Sequence, residues 1–389
     1  MLRRPARGTG MSGFGRKYSV AEFGWMIACA PRFDAFRRAL EAVVFPGCHV
    51  LEIGTGVGAF AILAARYGAG SVVALEPNPA IEIARRAAQA NGVADRIRFV
   101  EAISTDHVPD RPANVILSDL RGALPFYGNH IPSIIDARDR LLAPGGRLLP
   151  QRDRLFAALV EDDGLSGDGE VPWLENAVGI DLTAGHPFAV NSFRTARIDE
   201  GSLLGDPACL AVLDYACIDS ADFRCTAELT VSRPGRAAGL ALWFDMEIAP
   251  GIEISNRPGA APLVYRQIFF PLERALDLAD GDRVELAFAA SLRAGSYNFT
   301  WETAAFRRNE ATAFARFRQA SAQGEVLTPS MLGGAGAGRR DAARMVLDLL
   351  EAGRAETEIA DILAARHTRL FATSDAAAAF VRDMTALLG

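Results

Sequence analysis

The sequence predicts an α/β protein: a doubly wound parallel domain, then an antiparallel β-barrel, then a small C-terminal helical module of all-α or winged-helix type. Three observations carry that prediction. Strand-patterned and helix-patterned segments alternate from Val50 to Leu149, the signature of a parallel sheet covered on both faces. At Pro150 the pattern changes to strands such as RLFAALV, LALWFDMEI, RQIFFPL and RVELAFAASL, broken by Gly, Pro and Asp turns, and this runs to about Trp301. The stretch SMLGGAGAG, Ser330–Gly338, then reads as a linker to a last amphipathic segment. The expected organisation is a flexible tail at 1–17, the parallel domain at 18–150, the barrel at 151–325 with an inserted arm near 171–185, and the helical module at 339–389. A chain of 389 residues has room for these cores.

Each element follows from local chemistry. Phe23, Met26, Ile27, Phe33, Phe36, Leu40 and Val43 recur at helical spacing between Tyr18 and Val44, with a break expected at Pro31. Pro46-Gly47 turns the chain into strand Val50–Ile53, and a Gly-rich turn leads to helix Ala59–Tyr67. Strand Ser71–Leu75, helix Ala80–Asn91, strand Ile97–Glu101 and strand Asn114–Ser118 follow. Helix Ile131–Leu142 comes next, and Pro144-Gly145-Gly146 opens strand Arg147–Leu149. Within the barrel, Val171–Ile180 is more helical, and Trp243 and Phe244 are expected in the barrel core. Ala342–Leu350, Glu356–Ala364 and Ala376–Leu387 carry the helical spacing of the last module. Its rhythm, with LLEAGRAETEIADIL as a helix-turn-helix, resembles small winged-helix peptide-recognition modules; a packing or dimerising cap is the alternative.

Composition narrows the function classes. Half the residues are apolar and 23% are charged, as in soluble globular proteins. A net charge of −6 provides no global basic field for nucleic acid. Cys29, Cys48, Cys209, Cys217 and Cys225 are scattered, with no CxxC and no paired histidines, so neither a disulfide framework nor a metal site is expected. His49, His107, His186 and His367 share no motif. The segment MLRRPARGTGMSGFGRK lacks the apolar centre of a signal peptide, and Met11 is a second candidate start. No apolar run approaches the about 20 residues a membrane span needs, so a cytoplasmic location is expected.

The pattern E-x-G-x-G-x-G at Glu52, Gly54, Gly56 and Gly58 follows a strand and opens a helix, a Rossmann-like nucleotide turn in which the backbone can approach a ligand closely. A pyrophosphate would meet the helix N-terminus there, whereas Glu52 sets a negative charge beside the ligand. S-adenosyl-L-methionine, with its ammonium and sulfonium, suits that charge. Glu76, ending the next strand in VVALEPN, can accept both ribose hydroxyls; this would serve a nicotinamide cofactor equally, so Glu52 makes the distinction.

These residues, with others along the chain, resemble the protein arginine methyltransferase family over about residues 18–320. Met26, Arg32, Phe36, Ala39 and Leu40 repeat the spacing of that family's N-terminal segment, and VLEIGTGVG and VVALEPN match its cofactor motifs. ARDRLLAPGGRLLPQRDRLFAALVED, Ala137–Asp162, matches the strand crossing into its barrel, and GLALWFDMEI matches a barrel strand. The resemblance implies that Arg32 binds the cofactor's carboxylate. PWLENAVGIDL, Pro172–Leu182, falls where the family carries a dimerisation arm, which implies a homodimer.

The acceptor loop departs from the family. Where the family has S-E-W-M-G-Y-x-x-x-Y-E, this chain reads SDLRGALPFYG, Ser118–Gly128. Asp119 replaces the first glutamate and Gly128 removes the second; Leu263-Val264-Tyr265 stands where a Thr-His-Trp loop is expected. One carboxylate pairs a buried guanidinium poorly. Arg121, read as facing the acceptor, would repel arginine and attract a carboxylate, unless it is exposed or paired with Asp119. Asp119, Arg121, Tyr127 and His130 are therefore the candidate catalytic residues, with His130 a possible general base or a structural histidine and Tyr127 a donor. The expected activity is S-adenosylmethionine-dependent methylation of a peptide or protein, with carboxylate O-methylation ahead of arginine N-methylation. A catalytically inactive scaffold is the alternative from another class.

Overall fold

In a computed structural model of the chain, residues 18–161, 164–165, 170–176, 179–293 and 295–322 are described, with 342, 345–346, 349–350, 353–367, 370–371 and 373–386 of the C-terminal stretch. The expected tail at 1–17 and the linker Ser330–Gly338 lie outside the described residues. Chain contacts separate the described residues 18–322 from a second unit that holds the described residues from 342 onward.

Helix α1, Val20–Ala28, starts at a capping box in which Ser19 and Glu22 satisfy each other's backbone amides at 3.3 and 2.8 Å. The break before α2, Ala30–Val43, falls at Cys29 rather than at Pro31. Pro31 instead sits in the first turn of α2, where a missing N–H costs no hydrogen bond.

A parallel sheet follows: β1 (His49–Ile53), β2 (Ser71–Leu75), β3 (Ile97–Val100), β4 (Ala113–Ser118) and β5 (Leu142–Leu149). Helices α3 (Ala59–Arg66), α4 (Ile81–Ala90) and α5 (His130–Asp136) connect them. The order is β3-β2-β1-β4-β5, with every pair parallel. The connection reverses direction between β1 and β4, which opens a crevice at the carboxyl ends of those strands. Ile53 pairs with Ser118 there, so the glycine turn after β1 and the loop after β4 leave the sheet side by side. Helix α5 ends earlier than its periodicity suggests: Ala137–Leu141 widen into a π-type turn, and β5 begins at Leu142.

Beyond β5 the strands are antiparallel. One sheet runs β7-β12-β10-β6-β8, with β11 on β10, from β6 (Arg152–Glu161), β7 (Arg194–Ala196), β8 (Ala208–Asp214), β10 (Gly235–Ala249), β11 (Ile252–Ser255) and β12 (Gln267–Leu278). The other runs β15-β14-β13-β9, from β9 (Phe223–Thr230), β13 (Arg283–Arg293), β14 (Ser296–Phe306) and β15 (Ala315–Ala322). Phe270 meets the rings of Phe288, Phe299 and Trp301 edge-on at 5.5, 5.6 and 5.0 Å, and the Trp301 indole donates to the Pro271 carbonyl. Trp243 is buried in a small cluster with Phe156 and Phe269. Phe244, expected in the barrel core, joins the core beneath the parallel sheet instead, because successive residues of β10 face opposite ways. The arm holds short helices α6 (Val171–Leu174) and α7 (His186–Val190), separated by a 3₁₀ turn.

In the second unit, α8 (Glu356–Arg366) and α9 (Ser374–Ala386) bury Ile359, Leu363, Ala377 and Val381 together with Val346 and Phe371. No strand occurs among the described residues of this unit. Among all described residues, no helix is long and apolar enough to cross a membrane.

Candidate active site

The turn after β1 is shaped by its glycines. Gly54, Gly56 and Gly58 have φ of +75°, +55° and +81°, a region that side chains strongly disfavour. A Cβ at Gly58 would lie 2.7 Å from the Ala84 side chain, and one at Gly56 would lie 2.9 Å from the Phe23 ring. Helices α4 and α1 thus close on the turn from two sides. The amides of Gly54 and Thr55 donate to the Leu75 carbonyl, tying the turn to β2.

Two buried carboxylates flank the turn. Glu52 accepts from the Thr55 hydroxyl at 2.6 Å, and burial pushes its carboxyl up to about 7 despite that bond and one from the Ala61 amide. Glu76 accepts from the Gly56 and Asn78 amides at 2.8 and 2.9 Å; burial raises it, and those two amides oppose the rise. The two acids and the cradle fit a ligand that combines a cationic amino-acid end with a ribose.

Beside them, α2 brings Arg32 onto Asp119 of the loop after β4. Asp119 Oδ2 accepts from Arg32 Nε at 2.7 Å, from Arg32 Nη2 at 2.5 Å and from the Tyr265 hydroxyl at 2.6 Å. The other oxygen, Oδ1, is buried with no hydrogen-bond partner among the described residues. The Arg32 guanidinium also lies over the rings of Phe36 and Phe60. Burial alone would raise the Asp119 carboxyl; Arg32, the Tyr265 hydrogen bond and Arg121 together hold it below the usual range. Tyr265 is pushed up by burial and by Asp119, so it stays a hydrogen-bond donor.

A second polar group lies next to the first. Arg121 Nη1 donates to Asp153 Oδ1 at 2.6 Å, and both side chains are 0% exposed. The Arg121 guanidinium stacks 3.8 Å over Phe244. Tyr215 donates its proton to Asp153, so its oxygen accepts from His130 Nε2 at 3.1 Å, which leaves His130 Nδ1 buried and unpartnered among the described residues. Burial, aided by the Arg121 charge, pushes His130 down to about 3. Clefts lined by His49, Ser71 and Arg111, and by Val43, Phe45 and Arg147, lie at the opposite, amino-terminal edge of the sheet. The polar centre itself is closed, with Arg32 folded onto Asp119.

Comparison with known proteins agrees with this architecture. A family model described as the arginine methyltransferase oligomerization subdomain matches residues 151–304, and one described as ribosomal protein L11 methyltransferase matches residues 37–147. Among solved structures, the Trypanosoma brucei PRMT1 enzyme–prozyme heterotetrameric complex with AdoHcy superposes with a TM-score of 0.71 at 19% identity, over 77% of this chain and 97% of that one. The protein arginine N-methyltransferase 1 of Saccharomyces cerevisiae is 25% identical over 67% of this chain and 77% of its own length. The arginine N(omega)-methyltransferase of Streptomyces achromogenes subsp. streptozoticus is 31% identical over 71% of this chain and 76% of its own length. The chain belongs to the protein arginine methyltransferase family. It is an S-adenosylmethionine-dependent methyltransferase, which sets aside an inactive scaffold.

In this methyltransferase the structure gathers Arg32, Glu52, Gly54, Gly56, Gly58 and Glu76 around the turn, and Asp119 beside them. Three expectations for the acceptor loop need correction. Arg121 does not face an acceptor: it is sealed against Asp153 and Phe244, because a buried guanidinium requires a counter-charge and β6 supplies one. His130 is 0% exposed, with Nε2 on Tyr215 and Nδ1 enclosed out of reach of an acceptor, so it is placed as a structural histidine rather than as a general base. The preference for a carboxylate acceptor, which rested on Arg121, loses its basis. Tyr127 is half-buried, and its ring lies where a Cβ on Gly122 would fall, at 2.7 Å. Tyr265 is the residue that sequence reasoning passed over; its standing at the family's Thr-His-Trp position was the available signal.

Proposed function

We propose that this enzyme transfers a methyl group from S-adenosylmethionine to a guanidino nitrogen of arginine in a peptide or protein. Asp119 carries the reading: a buried, ionised carboxylate on the acceptor loop whose Oδ1 has no partner among the described residues. An anionic acceptor would be repelled there, whereas a guanidinium supplies both the positive charge and the N–H that Oδ1 needs. The similarity to arginine methyltransferases supports the same choice.

The backbone of Gly54–Gly58 would hold the cofactor, with Glu76 on its ribose, Glu52 toward its ammonium and Arg32 on its carboxylate. When bound, the cofactor supplies an electrophilic methyl group on a sulfonium. With Arg32 engaged by that carboxylate, one of the groups that depress Asp119 would be drawn off, while Arg121 and the Tyr265 hydrogen bond would remain, so burial would raise the proton affinity of its carboxyl. Asp119 aligns one acceptor nitrogen and takes the proton released on methylation. Self-association as a homodimer through the arm near 171–185 is proposed as well, since Val171, Leu174 and Ile180 are 41%, 52% and 57% exposed there. The test is incubation of the full chain with labelled cofactor and an arginine-rich peptide or free arginine, followed by mild base and amino-acid analysis. Base-stable label on arginine is expected; label released as methanol would refute the reading and restore a carboxylate acceptor.

A further inference from the structure

We infer that Tyr265 is a positioning residue for methyl transfer, holding Asp119 Oδ2 so that Oδ1 is presented to the acceptor. The inference rests on the arginine reading and adds to it a group from the barrel, 146 residues from its partner in sequence.

The argument begins with the bonds to Asp119. Oδ2 takes three donors, two from Arg32 and one from Tyr265, while Oδ1 takes none among the described residues. An aspartate has one methylene fewer than a glutamate, so its carboxyl reaches less far and its orientation depends more on what grips it. Gly128 brings no second carboxylate to share the task. Arg32 also acts on Glu52 of the cofactor turn, and its engagement with the cofactor's carboxylate would leave Tyr265 as the partner that still grips Oδ2.

Tyr265 is built to stay in place. It precedes β12, and its ring meets Phe244 edge-on at 5.7 Å. Phe244 is 0% exposed and carries the Arg121 guanidinium on its face. The Tyr265 ring is thus fixed from the barrel side by a contact that does not involve Arg32, although its hydroxyl also accepts from Arg32 Nε at 3.1 Å. Raised by burial and by Asp119, it remains protonated and donates at any working pH, so it cannot serve as the base itself.

The charged groups around Asp119 are Arg32 from α2, Arg121 from its own loop and Asp153 from β6. Tyr265→Phe removes the hydroxyl and keeps the ring on Phe244. With arginine peptide as acceptor, kcat should fall about 10²-fold, in line with a misplacement of about 1 Å at the reacting groups, while the affinity for S-adenosylmethionine changes less than about threefold. The acid limb of kcat/KM should move to higher pH, because Asp119 loses one of the bonds that favour its ionised form. In an Asp119→Asn background the same substitution should have no further effect on rate. A kcat loss with an unmoved acid limb, or additivity with Asp119→Asn, would assign Tyr265 a structural role and overturn the inference. Unchanged kcat in Tyr265→Phe would overturn it while leaving the arginine reading intact. A wild-type enzyme that makes no methylarginine would overturn both.

Discussion

Replacing Asp153 by alanine strips the sealed Arg121 guanidinium of its counter-charge while leaving it in place. Both side chains are 0% exposed, so water cannot take over. Arg121 Nε and Nη2 already lack partners among the described residues, and what remains for the cation is the face of Phe244 at 3.8 Å and the Met246 sulfur. Removing one member of a buried pair costs about 3–5 kcal/mol, far more than the pair itself contributes. For a folded unit of this size, about 2 °C per kcal/mol converts that into a fall of about 6–10 °C in the thermal midpoint. The double variant Arg121→Met/Asp153→Ala removes both charges, and His130 can change tautomer to accept the Tyr215 proton that Asp153 gives up. Its midpoint should return to within about 2 °C of wild type, as replacement of a buried pair by apolar groups is often neutral.

Circular dichroism melts of the four proteins in this cycle measure the coupling directly. Methylation by the double variant is the second readout. If Arg121 is structural, activity survives once both charges are gone. A midpoint shift below about 2 °C in Asp153→Ala, or a double variant that is stable but inactive, would refute the placement of Arg121 and return it to the acceptor.

Two further expectations concern the cofactor turn and the loop. Glu52, held up to about 7, is protonated below that pH, and a cationic cofactor end binds its ionised form; affinity for S-adenosylmethionine should therefore fall as pH drops from 8 to 6, by at most tenfold per unit below 7. Calorimetry in buffers of different ionisation enthalpy would show release of up to one proton, absent in Glu52→Gln; a flat pH response in wild type would contradict it. Gly128→Glu restores a second carboxylate at a position with open space but φ of +47°, so a cost of about 1–2 kcal/mol should accompany a fall of about tenfold or more in KM for the arginine acceptor. An unchanged KM in a folded variant would place Gly128 away from the acceptor.

The parallel sheet was legible because its signals are local. Buried strands bounded by Gly and Pro, alternating with helical spacing, locate β2 at Ser71–Leu75 without error. The break at Cys29 and the π-type turn after α5 were not, since helix ends depend on capping and packing that periodicity ignores. The candidate cofactor residues other than Arg32 lie within a few positions of two strand ends, and their proximity follows from the sheet. Asp153 lies 32 residues from Arg121, on a strand yet to be built, so spacing could not pair them. One hint was available: in RDRLFAALV, Asp153 shares the inward phase of Leu155, Ala157 and Leu159, and a charge in that phase requires a buried partner.

The acceptor preference comes down to which of two buried ion pairs can be opened. Closed, the centre is neutral: Arg32 with Asp119, and Arg121 with Asp153. Arg32 stands beside Glu52 and the glycine turn, where in the proposed reading the carboxylate of S-adenosylmethionine would offer it a second anion, so its pair could separate without leaving a bare charge. Arg121 has no such exchange, because Phe244, Met246 and Tyr215 enclose its pair. On the proposed reading, cofactor binding would therefore release an anion, Asp119, but not a cation. The charge that would then become available to an incoming substrate is negative, and a site with one buried carboxylate to satisfy would favour a guanidinium over a carboxylate. The loss of the second glutamate weakens that selection without changing its sign.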